Sequence, residues 1–446
     1  MITKIRIFKR TSSVLRGLGM LVLAIFIGLQ LTACDFDVVN PGPVQDDFLN
    51  DPDAHEPLVA GATRLLMQGL NFNAYTGAAV TRELFPAGST SAHGITLLQQ
   101  RGLLVWDDEH VTWTNHQRAR AVAEEGLERF QGVDGVDFMN YGPAARMALV
   151  AGYAGRVLGE NYCQAVINGG GEEPREVFLE RGEGFFDLAI EIGQNTGQSD
   201  VVTAAYAGRA QTRANLGNWA GALSDADQVP PDFVHQVEHN TISDAQYNRI
   251  YWAGANQPYR AHSVWNTVIE DYYTETGDPR TPWGMDENIP FGDAAVDRVG
   301  QVPWYFQLKY PSRDANRNLA SGREMDLLRA EAALIEGNWQ TAMDYINGLR
   351  EGLVSDHDGE PIPLWEANSL EEAWTHLKRE RYIELWLEGR RLNDLRRWKE
   401  DNRPGELSPL EVPGDASFLD QNQTLCYPIP EQERETNPNI PDTPSG

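Results

Sequence analysis

The sequence predicts a mostly helical protein assembled from paired antiparallel helices, and three observations carry that reading. Apolar residues recur at three- and four-residue steps through long stretches. Two segments 120 positions apart resemble each other, "YAGRAQTRANLGNWAGALSDA" from Tyr206 and "LLRAEAALIEGNWQTAMDYI" from Leu327. Between them, residues 236–320 lose the helical period and fill with Gly, Pro, Asn, Asp and aromatic residues, so they read as an insert laid over the scaffold.

The chain opens on Lys4, Arg6, Lys9, Arg10 and Arg16, followed by 13 apolar or glycine residues from Gly17 to Leu29. That run suits a secretory signal and is short for a membrane span, which needs about 20 residues. Leu31-Thr32-Ala33-Cys34 comes next and resembles a bacterial lipobox. Cleavage before Cys34 makes residues 1–33 a lipoprotein signal peptide and Cys34 the lipidated first residue. Each buried acyl CH2 contributes about 0.8 kcal/mol, so several chains anchor the protein durably. Asp35 and Asp37, close behind, resemble surface-export signals of such lipoproteins.

The leader holds five of the 37 Lys/Arg residues and none of the 65 Asp/Glu, which leaves residues 34–446 with a net charge of −33. Phosphates would be repelled, so nucleic acid is excluded as a partner. The only lysines after the leader are Lys309, Lys378 and Lys399. Carboxylates at this density fit a surface adapted to high salt, and stability is then expected to rise with ionic strength.

Met147–Val166 and Phe185–Gln194 read as helices, the first with alanine, glycine and tyrosine on its packing face. In the repeated segments, Gly217-Asn218-Trp219 aligns with Gly337-Asn338-Trp339, Arg209-Ala210 with Arg329-Ala330, and Ala222 with Ala342. Each segment is a helix, a Gly-Asn break and a second helix, with small residues where the two must approach. This is the unit of a tetratricopeptide array, here irregular because only two units match. The insert concentrates Tyr247, Tyr251, Trp252, Tyr259, Trp265, Trp283, Phe291, Trp304 and Tyr305. The chain from Asp401 is rich in proline and reads as irregular.

"KRERYIELWLEGRRLNDLRRW", Lys378 to Trp398, reads as one continuous helix with a packing stripe of Tyr382, Leu385, Trp386, Gly389 and Leu392. Glu380, Glu384 and Glu388 are spaced i, i+4. Paired carboxylates do acid–base work or bind metal, but the Glu-x-x-His motifs of a bundle metal site are missing, and arginine stands at 379, 381, 390, 391, 396 and 397. Structural ion pairing is the expectation. No catalytic motif occurs: there is no His-Glu-x-x-His, no Gly-x-Ser-x-Gly, no phosphate-cradling glycine loop and no paired-cysteine metal pattern. Asp356-His357-Asp358-Gly359-Glu360 lacks the full calcium-loop pattern and reads as an acidic turn. No metal, no cofactor and no enzyme activity are expected.

"ERYIELWLEGRRLNDLRRW" resembles the helix signature of the SusD/RagB family of outer-membrane nutrient-uptake lipoproteins. Other stretches agree in the same order: Leu31 to Cys34 with Asn40-Pro41, Asp278-Pro279-Arg280, Lys309-Tyr310, "REMDLLRAEAALIEGN" from Arg323, and "YPIPEQERETNPNI" from Tyr427. The resemblance implies an all-α core of four tetratricopeptide-like helix pairs with an irregular, loop-rich ligand face. It implies one SusD-like domain over residues 34–446, with a helical scaffold at about 47–235 and 321–400, the insert at about 236–320 and a tail at 401–446. It also implies a lipid-anchored outer-membrane protein at the cell surface that captures an oligosaccharide, or sometimes a peptide, for a SusC-like TonB-dependent porin. The chain is short for the family, which implies trimmed ligand-face insertions.

The alternative reading of the residues is a tetratricopeptide-type module that binds protein or peptide in a groove, without glycan specificity. Sugars present flat C–H faces that stack on Trp and Tyr, so rings on loops favour a glycan. The ligand face is expected in Phe72–Trp113 and Tyr247–Tyr305, with Trp113, Trp252, Trp283, Trp304 and Tyr305 as the stacking residues. With Cys34 lipidated, Cys163 and Cys426 remain as an even pair in an exported chain and are expected to form a disulfide that staples the tail to the helical core.

Overall fold

Helix pairs run through the chain in sequence order. In the computed structural model, which describes residues 46–443 apart from residue 109 and residues 256–258, α1 (His55–Val80) packs on α2 (His110–Gly132). Then α3 (Gly142–Asn161) packs on α4 (Glu176–Thr196), and α5 (Ser199–Asn215) on α6 (Trp219–Ala226). The insert contributes α7 (Arg249–Gly254) and α8 (Val268–Thr276). Beyond it α9 (Gly322–Ile335) packs on α10 (Trp339–Gly348), and α11 (Leu370–Glu384) packs on both. The last helices are α12 (Arg391–Glu400) and the short α13 (Glu431–Thr436), which lies on α2. The fold is therefore an all-α scaffold of tetratricopeptide-like pairs. No helix among the described residues is long and apolar enough to cross a membrane.

The two matched segments fold alike for a local reason. Gly217 and Gly337 take φ of +76° and +83°, the left-handed turn that glycine reaches without steric cost. Asn218 and Asn338 follow, and the next tryptophan starts the second helix; the Asn218 side chain caps α6 by accepting from the Gly221 N–H at 3.0 Å. Between α3 and α4 glycine serves closeness instead. A Cβ on Gly155 would lie 2.9 Å from the Gly182 Cα, so any side chain there would force these helices apart.

The strands are short antiparallel pairs: β1 (Phe85–Pro86) with β5 (His262–Ser263), β2 (Gln164–Ala165) with β3 (Glu173–Pro174), β4 (Val234–Val237) with β8 (Arg317–Ser321), and β6 (Trp283–Met285) with β7 (Tyr305–Gln307). One core fills the first helix pairs, with Leu66, Leu70, Phe130, Met147, Tyr153 and Phe186. A second joins the insert to the end of α1 and to α11 through Tyr75, Ile250, Ile269, Tyr272, Tyr382 and Trp386. Burying a side chain of this size contributes about 2–3 kcal/mol, so the insert is held by packing as well as by its turns.

The expectation of one continuous helix from Lys378 to Trp398 is corrected. α11 ends at Glu384 and α12 begins at Arg391. Leu387 and Gly389 between them have φ of +62° and +78°. Glycine takes that conformation readily and leucine does not. Leucine holds it here because its N–H donates to Oε1 of the buried Glu83 at 2.7 Å, while the Trp386 indole N–H donates to the Glu83 carbonyl at 3.1 Å. The break lets the chain turn around the end of α1, where a Cβ on Gly389 would meet Ala74 at 3.2 Å.

The three glutamates of this block are ion-paired. Arg280 reaches Glu380 and, at 2.9 Å, Glu384; Arg350 holds Glu380 at 2.9 Å, Arg323 holds Glu384 at 2.6 Å, and Lys309 holds Glu388 at 2.9 Å. Further inside, Arg381 pairs with Asp394 at 2.8 Å, Arg390 with Glu324 at 3.2 Å, and Arg397 with Glu331.

Candidate ligand-binding face

β6 and β7 form a two-stranded ribbon with Trp283 opposite Gln307, Gly284 opposite Phe306 and Met285 opposite Tyr305. Paired residues of an antiparallel ribbon share a face and successive residues alternate. Trp283, Met285 and Tyr305 therefore lie on one face, and Gly284 and Phe306 on the other. Trp283 and Tyr305 sit diagonally and stack, with ring centroids 4.7 Å apart and an interplanar angle of 23°. Both are half-buried, and Met285 beside them is 57% exposed. Glycine at 284 makes room on the reverse side, where a Cβ would lie 2.9 Å from the Phe306 ring.

Tyr273 extends this row. Its ring lies 6.2 Å from Trp283 and 5.0 Å from the His357 imidazole, and His357 Nε2 lies 2.8 Å from the Tyr273 carbonyl. The Tyr273 hydroxyl donates to Asp356 at 3.3 Å. The acidic turn at 356–360 thus forms the edge of the aromatic row. Among the described residues no group of three His, Cys, Asp or Glu side chains could hold a metal ion.

The row is pinned to the scaffold from below. Asp278 and Arg280, three to five residues before Trp283, form a buried knot in which Arg280 donates to Asp278 at 2.7 Å and reaches Glu380 and Glu384 on α11. Burial pushes the Asp278 carboxyl up, but the bonds from Arg280 outweigh it and hold that carboxyl below its usual value. The Tyr272 hydroxyl, on the helix that carries Tyr273, donates to Asp278 at 2.6 Å. Strand position and ring position are both set by the charged knot.

A second group of rings surrounds α7. Trp252 meets Tyr247 edge-on at 5.5 Å and Tyr259 at 5.7 Å. Arg249 stands over the Phe72 ring at 3.8 Å and Arg313 over Tyr247 at 5.0 Å. Asn71 of α1 fixes the entry to α7: its Nδ2 donates to the Tyr247 carbonyl at 2.7 Å, and its Oδ1 accepts from the Arg249 N–H at 2.9 Å. Asn248 caps the helix and ties it to the Ala315 carbonyl at 2.9 Å. The two groups are linked through Trp304, whose indole N–H donates to the Gly254 carbonyl at 2.8 Å and whose neighbour Tyr305 stacks on Trp283.

The five rings expected from sequence divide by environment. Trp283 and Tyr305 come together, and Trp252 lies in the second group. Trp304 is 3% exposed and serves as that internal link. Trp113, also 3% exposed, lies apart from both groups. Its ring packs edge-on to Tyr162 at 5.0 Å, and its indole donates to Glu433 of α13 at 3.2 Å, at the base of a 370 Å³ crevice between α2 and the tail. Neither Trp113 nor Trp304 presents a ring face to solvent. Cys163 and Cys426 are bonded, with Cα atoms 5.2 Å apart, and Tyr427 continues the attachment by donating its N–H to the Asn161 carbonyl at 2.8 Å. Cys34 lies outside the described residues. Sequence reasoning missed Tyr273 and the arginines at 249 and 313. The i, i+3 spacing of Arg249 and Trp252 was an available signal; nothing local marks Tyr273 or Arg313.

Residues 324–445 match the SusD family. No curated protein matches the chain. Similar solved structures include a SusD superfamily protein from Bacteroides vulgatus, 16% identical with a TM-score of 0.64, covering 88% of this chain and 98% of that one. A SusD-like carbohydrate binding protein from the same organism is 14% identical with a TM-score of 0.61, covering 88% and 98%. A laminarin binding SusD-like protein is 13% identical with a TM-score of 0.52, covering 89% and 100%. The chain thus has the SusD fold over most of its length and matches the SusD family in sequence over residues 324–445.

Proposed function

We propose that this chain is a non-catalytic, glycan-binding lipoprotein of the outer membrane, which captures an oligosaccharide at the cell surface and passes it to a SusC-like TonB-dependent porin. The observation that carries the reading is the Trp283–Tyr305 stack, displayed on a ribbon and held by a buried ionic knot. A pair of fixed, half-exposed rings offers a flat apolar surface to the C–H face of a sugar at little entropic cost. The carbohydrate- and laminarin-binding descriptions of proteins with this fold favour a glycan over the peptide of the alternative reading. Anchoring at Cys34 supplies the membrane attachment, and the porin partner follows from the family resemblance.

The test is glycan-array binding followed by titration calorimetry, with Trp283→Ala and Tyr305→Ala as controls. Binding that weakens about fivefold or more in each variant supports the reading. Absence of binding to every glycan, or binding indifferent to both substitutions, contradicts it. Mass spectrometry of the protein from its native membrane is expected to find acylated Cys34, and a pull-down from solubilised membranes is expected to recover the porin.

A further inference from the structure

The first helices of three successive pairs, α1, α3 and α5, pack in sequence, and β8 lies on α5. These helices and the β4–β8 ribbon enclose a cavity of about 260 Å³. Protein interiors leave few voids larger than a water molecule, and about 150 Å³ suffices for benzene. The cavity shares no lining residue with the Trp283–Tyr305 face.

Its floor and its mouth differ in chemistry. The floor is apolar and buried: Val59 and Leu66 from α1, Leu149 and Val150 from α3, Val201 from α5 and Leu319 from β8. The mouth is polar, with Thr63, Asp200 and Gln236 exposed and Arg146 half-buried. These groups are largely occupied among themselves. The Thr63 hydroxyl donates to the Val59 carbonyl at 2.9 Å, and the Gln236 amide donates to Asn318 at 2.9 Å. Arg146 is held by Glu56 and, at 2.6 Å, by Gln198. An apolar floor with a few polar groups around it is the usual build of a small-molecule site.

One polar group in the wall is free. His235 of β4 stacks on Tyr153 of α3, with ring centroids 5.1 Å apart and an interplanar angle of 28°. The Tyr153 hydroxyl is used, donating to the Ala204 carbonyl at 2.8 Å. The His235 imidazole has no hydrogen-bond partner among the described residues. Burial and the charge of Arg156 push its pKa down to about 4. At neutral pH it therefore keeps one N–H donor and one bare acceptor nitrogen. A fixed, neutral acceptor beside an apolar floor calls for a hydroxyl on an otherwise apolar molecule. A charged molecule would have to shed its water against that floor without a counter-ion. A free sugar would bury hydroxyls on every side, and most of them would find no partner.

We infer that this cavity is a second ligand site, which takes a small uncharged ring compound with its ring against the helices and one hydroxyl on His235. The site is independent of the glycan reading above.

The experiment is ligand-observed NMR titration of the full chain with phenol, toluene, benzoate and glucose, with melting temperatures recorded alongside. Wild type is compared with Thr63→Trp and Gln236→Trp, which plug the mouth from α1 and from β4. His235→Phe is the third variant; it keeps a ring on Tyr153 and removes both nitrogens. Phenol and toluene should saturate the wild type and raise its melting temperature with concentration, because a ligand that binds only the folded state stabilises it. Benzoate and glucose should bind about tenfold more weakly or worse, since the floor offers them no polar partners. Each plug should weaken phenol and toluene about tenfold or more, since a filled core leaves no room for either. His235→Phe should weaken phenol about fivefold, the value of one hydrogen bond, and leave toluene within about twofold. That contrast decides the matter even where a plug unfolds the chain. Absence of saturable phenol binding by the wild type, or binding that survives both plugs, overturns the site. Equal losses of phenol and toluene in His235→Phe overturn the role of the imidazole.

Discussion

Between Gly322 and Glu400 most of the buried charged side chains are turned on one another, whereas around α7 Arg249 and Arg313 lie over rings. In the first region Arg350 and Glu380 are both fully buried and bonded at 2.9 Å, and Arg381, Asp394, Arg397 and Glu331 make a continuous chain of pairs. In the second, Tyr247, Arg249, Trp252 and Arg313 are half-buried around the short helix α7. Charge inside a helix bundle has one stable use, which is mutual satisfaction, and such sites have no reactivity to spare. The proposed function rests instead on half-buried rings of the insert, Trp283 and Tyr305. The glutamate triplet, the chain's most enzyme-like feature, is therefore ion-paired into the scaffold, and the proposed function puts binding in the part with the least regular structure.

The comparison breaks first at Glu380. Replacing it with alanine leaves the buried Arg350 without a carboxylate partner, while Arg280 keeps Asp278 and Glu384, and costs about 3–5 kcal/mol. Chemical denaturation showing a loss below about 1 kcal/mol would mean that the knot is not buried as described. Removing the Cys163–Cys426 bond by paired serine substitutions is expected to cost about 2–4 kcal/mol, because the bond closes a loop with a sequence separation of 263. A melting temperature unchanged by the double substitution would remove the tail from the account of stability.

Two pH effects of opposite sign sharpen the contrast further. Burial raises the Asp278, Glu384 and Asp394 carboxyls, but bonds and charge from Arg280, Arg323 and Arg381 outweigh it and hold all three below their usual values. Their stabilisation is present above the unfolded pKa, near 4, and is lost as pH falls below it. Glu83 behaves the other way. Burial pushes its carboxyl up to about 7, with the Leu387 N–H, Arg391 and Lys309 only partly opposing. The folded state then binds this proton more tightly than the unfolded state, so stability falls as pH rises from about 4.5 to 7. Glu83→Gln should gain stability relative to wild type on going from pH 5 to pH 8, by on the order of 3 kcal/mol. Parallel stability–pH curves for the two proteins would refute the assignment. The smallest effect expected is a rise of a few degrees in melting temperature from low to molar salt, as self-repulsion is screened; a flat curve would make the acidic surface merely solubilising.

Much of the scaffold was legible because its instructions are local. Gly217-Asn218 and Gly337-Asn338 specify their turns within four residues, and Gly155 and Gly182 mark a close approach by their size alone. The break at Leu387 was not legible, because the group that holds its backbone, Glu83, lies 304 positions away. The ring face was half legible. Composition named the aromatic segment, but which rings meet depends on the register of β6 against β7, which no local pattern encodes. Trp113 and Trp304 match Trp283 as residue types; they differ in what folds over them, α13 in one case and α7 in the other.

The central claim is that the insert binds while the ionic scaffold only supports it. The most direct test is a single comparison of ligand affinity and melting temperature in Trp283→Ala/Tyr305→Ala, measured with the glycan that binds the wild type. The account predicts a loss of affinity of tenfold or more, at about 1 kcal/mol per ring, with melting shifted by no more than a few degrees. Full affinity in the double variant would contradict it.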